Sequence, residues 1–155
     1  MKALVVYYSR TGLTKKVGEE IAKTLGCDVE EIFDTKDRSG VLGYMIAGRD
    51  AMRGKLTKIK ETVKDPSQYD LVIIGTPLWA FTVSTPVRTY LTQNKGKFKK
   101  TAFYCTEGGS GGAGTLKAME EASGCKPVSS LELKAPDFSS GGYKEKAVQF
   151  SKGLV

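Results

Sequence analysis

Ala3-Leu4-Val5-Val6-Tyr7-Tyr8 runs without a break into Ser9-Arg10-Thr11-Gly12-Leu13-Thr14, and a helical pattern begins directly after it. The first six residues are apolar with no alternation, as expected for a strand covered on both faces of a parallel sheet. Asp70-Leu71-Val72-Ile73-Ile74-Gly75 repeats that pattern. Three shorter runs, Val29 to Phe33, Thr101 to Cys105 and Leu131 to Leu133, are rich in β-branched or aromatic residues. The first and last of these alternate with acids, as sheet edges often do.

Helical patterns separate the runs. Val17, Ile21 and Leu25 recur every four residues, and Gly26 follows as a stop. Ser84-Thr85-Pro86 reads as a cap with proline at a first helical position, leading into Val87, Tyr90 and Leu91. Leu116, Met119 and Ala122 share a face before Gly124, and Tyr143, Ala147, Phe150 and Leu154 form the last apolar stripe. Strand–helix alternation, five times over, predicts an α/β fold: a doubly wound five-stranded parallel sheet of order 2-1-3-4-5 with helices on both faces. The connection from Asp34 to Tyr69 is long, and Val41, Tyr44, Met45, Ala51 and Met52 suggest one helix followed by an extended basic tail. No linker or repeat interrupts residues 1–155, which are expected to form a single domain.

Composition narrows the chemistry. The 155 residues contain no histidine, which excludes Ser-His-Asp or Cys-His catalysis and histidine-ligated metal. Cys27, Cys105 and Cys125 are odd in number and lack CxxC spacing, so neither a disulfide framework nor a zinc site is suggested. Lys+Arg total 24 against 17 Asp+Glu, a net charge of +7. These cations are strung out, with Lys99-Lys100 the longest unbroken run, so a solvated basic face outranks nucleic-acid binding. The apolar stretch after Lys2 is too short for a signal-peptide core or a membrane span, so the expectation is a cytoplasmic protein without a membrane span.

In such sheets ligands bind beyond the carboxyl ends of the strands, where strand order reverses. Three loops lie there. Ser9 to Thr14 combines hydroxyls with a glycine at a helix N-terminus, an arrangement that favours phosphate, although a simple cap by Ser9 or Thr11 also fits. Neither GxGxxG nor GxxxxGK[ST] occurs. Gly75 to Val83 carries the only tryptophan, Trp79, together with Leu78 and Phe81 where a solvated loop would be polar. That pattern points to a flat apolar ligand or a partner surface, unless the rings fold back to cap the core. Thr106 to Gly114 contains five glycines within seven residues, which leaves its backbone open to close approach, or makes it a mobile surface loop. Cys105, just before it, reads as a buried strand residue, with a redox-active thiol as the alternative.

Together these segments resemble the flavodoxin family. Ala3 to Thr14 is similar to the family's first strand and FMN-phosphate loop, and Thr76-Pro77-Leu78-Trp79 with Pro86-Val87-Arg88 to its isoalloxazine-wall loop and following helix. The resemblance implies FMN as cofactor, its phosphate held by Ser9, Thr11, Gly12, Leu13 and Thr14, with Arg10 either adding charge or pointing to solvent. It implies that Thr76, Pro77, Leu78, Trp79, Ala80 and Phe81 line one side of the ring. Thr106, Glu107, Gly108, Gly109 and Gly112 would approach the other side and the pyrimidine edge. The resemblance implies no catalytic side chain, since the flavin carries the redox chemistry.

Two departures from the family's electron carriers bear on function. Those proteins are usually acidic, whereas this chain is +7, and Thr106 to Gly114 has no aromatic residue to stack on the flavin. The expected function is electron transfer between redox partner proteins, acidic ones in view of the charge. The alternative is an FMN-dependent NAD(P)H:quinone-type oxidoreductase, with a quinone or nicotinamide at the open ring face. Either a monomer or a dimer fits the sequence. A phosphoacceptor receiver domain would share the sheet order, but Tyr7-Tyr8-Ser9 and Thr76 stand where its acids are needed.

Overall fold

β1 (Ala3–Tyr7) and β3 (Leu71–Trp79) form the centre of the sheet, paired in parallel with Val5 opposite Ile73 and Tyr7 opposite Gly75. The computed structural model describes all of Met1–Val155. β2 (Asp28–Glu31) lies outside β1, while β5 (Thr101–Glu107) and then β6 (Ser130–Lys134) extend the sheet beyond β3. The order is therefore β2-β1-β3-β5-β6, all parallel, with a short β4 (Thr82–Val83) folded back on β3. Leaving β4 aside, this is the predicted 2-1-3-4-5 arrangement.

The non-alternating strands follow from a core on each face of the sheet. On one side Leu4, Val6, Val72, Ile74 and Phe103 pack against α2 (Gly40–Met52), α3 (Thr85–Gln93) and α4 (Gly112–Ser123). On the other, Ala3, Val5, Tyr7, Ile73 and Tyr104 pack against α1 (Leu13–Leu25) and α6 (Tyr143–Lys152). Every residue of β1 is buried, so neither face of that strand tolerates a polar position. Two glycines allow α1 and β3 to close on Tyr104. A Cβ on Gly75 would sit 1.9 Å from Tyr104 Cζ, and one on Gly18 would sit 2.5 Å from Tyr7 Cδ1.

Four features differ from the sequence expectation. β3 continues through Trp79, so Gly75 to Trp79 is strand rather than loop, and Leu78↔Val83 and Trp79↔Thr82 pair in an antiparallel hairpin. A short helix α5 (Ala135–Ser139) follows β6 directly, started by Pro136 and the Lys134–Asp137 cap. The Asp34–Tyr69 connection holds α2 and a 3-10 turn at Pro66–Gln68, with Asp34 bridging to Ile59 in the extended part. Of the five residues that suggested a helix there, only Ala51 is buried, while Val41, Tyr44, Met45 and Met52 are exposed. No helix is long and apolar enough to cross a membrane.

Candidate functional site

The strand order reverses between β1 and β3, and the loops leaving their carboxyl ends meet there with the loop after β5. In the first loop Gly12 adopts φ 99°, a left-handed conformation open to glycine, and caps α1 without a side-chain partner. Its N–H donates to Ser9 Oγ at 3.0 Å, which closes the loop into a tight turn. Space around Gly12 is open, with no atom within 4 Å of where a Cβ would stand. The first turn of α1 contains no acid, and its leading N–H groups have no side-chain cap. Such a turn is a cradle for an anion. Thr11 and Leu13 are exposed at its mouth, whereas Thr14 is buried.

Arg10 and Thr14 serve the architecture of the loop. Arg10 Nε donates to the Arg38 carbonyl at 2.9 Å and Nη2 to the Gly40 carbonyl at 3.1 Å, tying the loop to the start of α2. Thr14 Oγ1 shares a 2.9 Å hydrogen bond with Thr106 Oγ1, and the Thr14 carbonyl accepts from Tyr104 Oη at 2.9 Å. These buried bonds join the first and third loops.

The hairpin supplies the apolar element. Thr76 is fully buried, 2.9 Å from Ser84 Oγ and accepting from the Ser84 N–H at 3.1 Å, so its hydroxyl holds the hairpin base. Trp79 folds back into the core: it meets Tyr8 edge-on at 5.4 Å, and the Arg38 guanidinium lies 5.1 Å from its ring centre. Arg38 is itself held by Asp34 and, through Nη1, by Asp50 at 3.0 Å. Burial works against the Asp50 charge, yet Arg38 and Lys36 hold its carboxyl below the usual carboxylate range. Burial, with Asp34 nearby, pushes the Tyr8 phenol up to about 12. Pro77 and Leu78 are half-buried and Ala80 and Phe81 exposed. The turn residues Ala80 and Phe81 have φ 49° and 63°, both left-handed, where a two-residue hairpin normally places Asn or Gly.

In the third loop Gly108 and Gly109 are exposed with open space around them, while Gly112 begins α4 against Glu132. Gly111, at φ 104°, brings this loop against the hairpin, its Cβ position 3.1 Å from Leu78 Cδ2 and Phe81 Cδ1. Glu107 is only 7% exposed, and neither carboxylate oxygen has a hydrogen-bond partner. Burial, reinforced by the Glu132 charge, raises its pKa, opposed by the charge of Lys134. Burial and the same two acids push the Cys105 thiol up to about 12, so it stays protonated and unreactive.

An apolar groove of about 330 Å³ lies between α2 and the hairpin, lined by Tyr44, Met45, Gly48, Met52, Leu78 and Ala80, with Trp79 and Arg49 completing it. The α2 half of this lining was missed from sequence, where Tyr44, Met45 and Met52 indicated a helix but no site. A polar cavity of about 760 Å³ flanks the first loop on the β2 side, where Arg10, Lys36 and Lys60 face Glu31 and Asp34.

The family model described as flavodoxin matches residues 2–132. The chain belongs to the flavodoxin family. Among solved structures, a flavoprotein from Lactobacillus acidophilus NCFM in complex with FMN is 26% identical, with TM-score 0.75 over 92% of this chain and 97% of that one. Oxidised flavodoxin 1 from Bacillus cereus is 17% identical, with TM-score 0.56 over 100% of both chains. A flavodoxin from the domain Archaea is 19% identical, with TM-score 0.56 over 99% of both chains. At those two lower identities the likeness is one of fold. Among curated proteins, none matches the chain.

Proposed function

We propose that this flavodoxin-family chain binds FMN at the carboxyl edge of its sheet and works as an electron carrier between redox proteins. The observation that carries this reading is the juxtaposition of an uncapped α1 N-terminus at left-handed Gly12 with an apolar wall across the same edge. A phosphate fits the first, and a flat aromatic ring fits the second. The Lactobacillus relative, crystallised with FMN, supports the same cofactor here.

In this reading the N–H groups of the first α1 turn bind the phosphate, and the exposed Thr11 hydroxyl adds a donor. Ser9 accepts from Gly12, which leaves its own proton free to donate outward. Arg10 fixes the loop to α2 rather than neutralising the anion, since two of its nitrogens are taken by carbonyls. Pro77, Leu78, Ala80 and Phe81 form the ring's wall, and the buried Trp79 supports it from beneath. Gly108 and Gly109 approach the ring by backbone alone. FMN, when bound, supplies the one- and two-electron chemistry. Glu107 is the one acid of the third loop, and burial works against its charge.

Purified protein should be yellow and release FMN on denaturation. Once reduced, it should pass electrons on to an acceptor protein without sustained oxidation of a nicotinamide. The net charge of +7 favours an acidic partner. The exposed Gly108–Gly109 backbone favours a second reading, FMN-dependent reduction of a quinone at an open ring face. Steady turnover with NAD(P)H and a soluble quinone would favour the reductase over the carrier.

A further inference from the structure

The outward side of α2 is unlike the rest of the surface. Val41, Leu42, Tyr44, Met45 and Met52 are 79%, 71%, 66%, 64% and 72% exposed, and Leu56 just beyond the helix is 54% exposed. Spacings of three and four residues put Leu42, Met45, Arg49, Met52 and Arg53 along one side of the helix. The opposite side, with Gly43, Ala47, Asp50 and Ala51, is buried against the sheet and the Arg38 turn. From Ser39 to Lys60 the exposed charges are Arg49, Arg53, Lys55, Lys58 and Lys60, all positive. The only acid in the segment, Asp50, is buried and paired with Arg38. Six large apolar side chains therefore stand in water among cations, with no exposed carboxylate between them.

We propose that the outer face of α2, with the Arg53–Leu56 segment, docks on an anionic lipid surface. A lipid interface takes up protruding aliphatic side chains one by one and needs no complementary shape, while anionic headgroups attract Arg and Lys. A second copy of the chain fits less well, because a twofold contact would bring Arg49 and Arg53 against their own counterparts on molecules of charge +7 each. Transient redox contacts between proteins are small, and interface cores of any kind are poor in charge, which suits this mixture less than lipid does. Tyr44, Met45, Arg49 and Met52 of the ridge also line the groove at the hairpin, while Val41, Leu42, Arg53 and Leu56 lie outside it, so docking would bring that edge of the sheet to the membrane.

The test is co-sedimentation of the full chain, with and without FMN, with phosphatidylcholine vesicles and with vesicles about one-third phosphatidylglycerol. Binding is expected only with phosphatidylglycerol, and should be lost near about 0.5 M salt. Arg53→Gln with Lys55→Gln should weaken it about 25-fold, at about fivefold per cation. Val41→Ser with Leu42→Ser should weaken it by about tenfold or more, with helix content and FMN uptake unchanged. Neither pair lines the groove or the Gly12 loop. No binding to phosphatidylglycerol vesicles, equal binding to both vesicle types, or insensitivity to both double variants would overturn the proposal. A dimer abolished by Val41→Ser with Leu42→Ser, without vesicle binding, would overturn it in favour of a second copy. FMN absorbance read on the same samples separates the two claims: vesicle binding without FMN uptake sinks the cofactor reading alone.

Discussion

The α1 side and the α2 side of the sheet's carboxyl edge solve the same geometric problem in opposite ways. On the α1 side each awkward position is a glycine: Gly12 takes the left-handed turn, and Gly18 and Gly75 make room for Tyr7 and Tyr104. The result is a closed assembly in which Tyr104, Thr14 and Thr106 are hydrogen-bonded and buried. On the α2 side Ala80 and Phe81 adopt left-handed backbone without being glycine, Phe81 is exposed, and α2 turns apolar residues to water. One side is built to hold its shape; the other stores strain and bare apolar surface, as ligand and partner sites do.

Gly75→Ala should break that contrast most severely. A Cβ 1.9 Å from Tyr104 Cζ cannot be absorbed within the packed core, and a loss of about 3 kcal/mol or more in urea unfolding is expected. Gly12→Ala leaves space for the methyl but forces φ 99° on an L-residue. It should cost about 1–2 kcal/mol of stability and also weaken FMN binding, read by thermal unfolding and fluorescence titration. Retained stability with lost FMN affinity would mean that the loop relaxes and the cradle alone is damaged.

Glu107→Gln probes the seam between the two sides. Folding raises the Glu107 pKa, so its protonated form is favoured in the folded state, and the carboxyl costs stability as pH rises through the folded value. The variant should therefore be more stable than the parent near neutral pH, by about 1 kcal/mol. That advantage should fade as pH falls below the ordinary glutamate value. An advantage independent of pH would contradict the assignment. Ala80→Gly is the smallest effect. Relief of left-handed strain, offset by the freer unfolded chain, should stabilise by about 0.5 kcal/mol in the protein without FMN.

The fold was legible because its signals are local. Strands buried on both faces cannot alternate, so Ala3–Tyr8 and Leu71–Ile74 stand out, and Gly26 and Gly124 mark helix ends in left-handed conformations. The first loop was legible for the same reason, since Gly12 occupies a position that glycine alone adopts freely. The hairpin was not, because Ala80-Phe81 lacks the Asn-Gly signal of a two-residue turn. Trp79 divided two readings that only packing separates, and it packs inward on Tyr8 and Arg38. The outward face of α2 was hidden because periodicity shows that a helix has an apolar side but not which way that side points. Glu107 was named from sequence but its burial was not, because an acid beside glycines reads as exposed, whereas β5 carries it into the interior.

The central claim is that the Gly12 cradle and the hairpin wall together hold FMN, and it is tested most directly by titrating the cofactor-free chain with FMN and, separately, with riboflavin. One FMN per chain with quenched flavin fluorescence is expected, and riboflavin, which lacks the phosphate, should bind far more weakly. Equal affinity for the two flavins, or no binding of either, would contradict it.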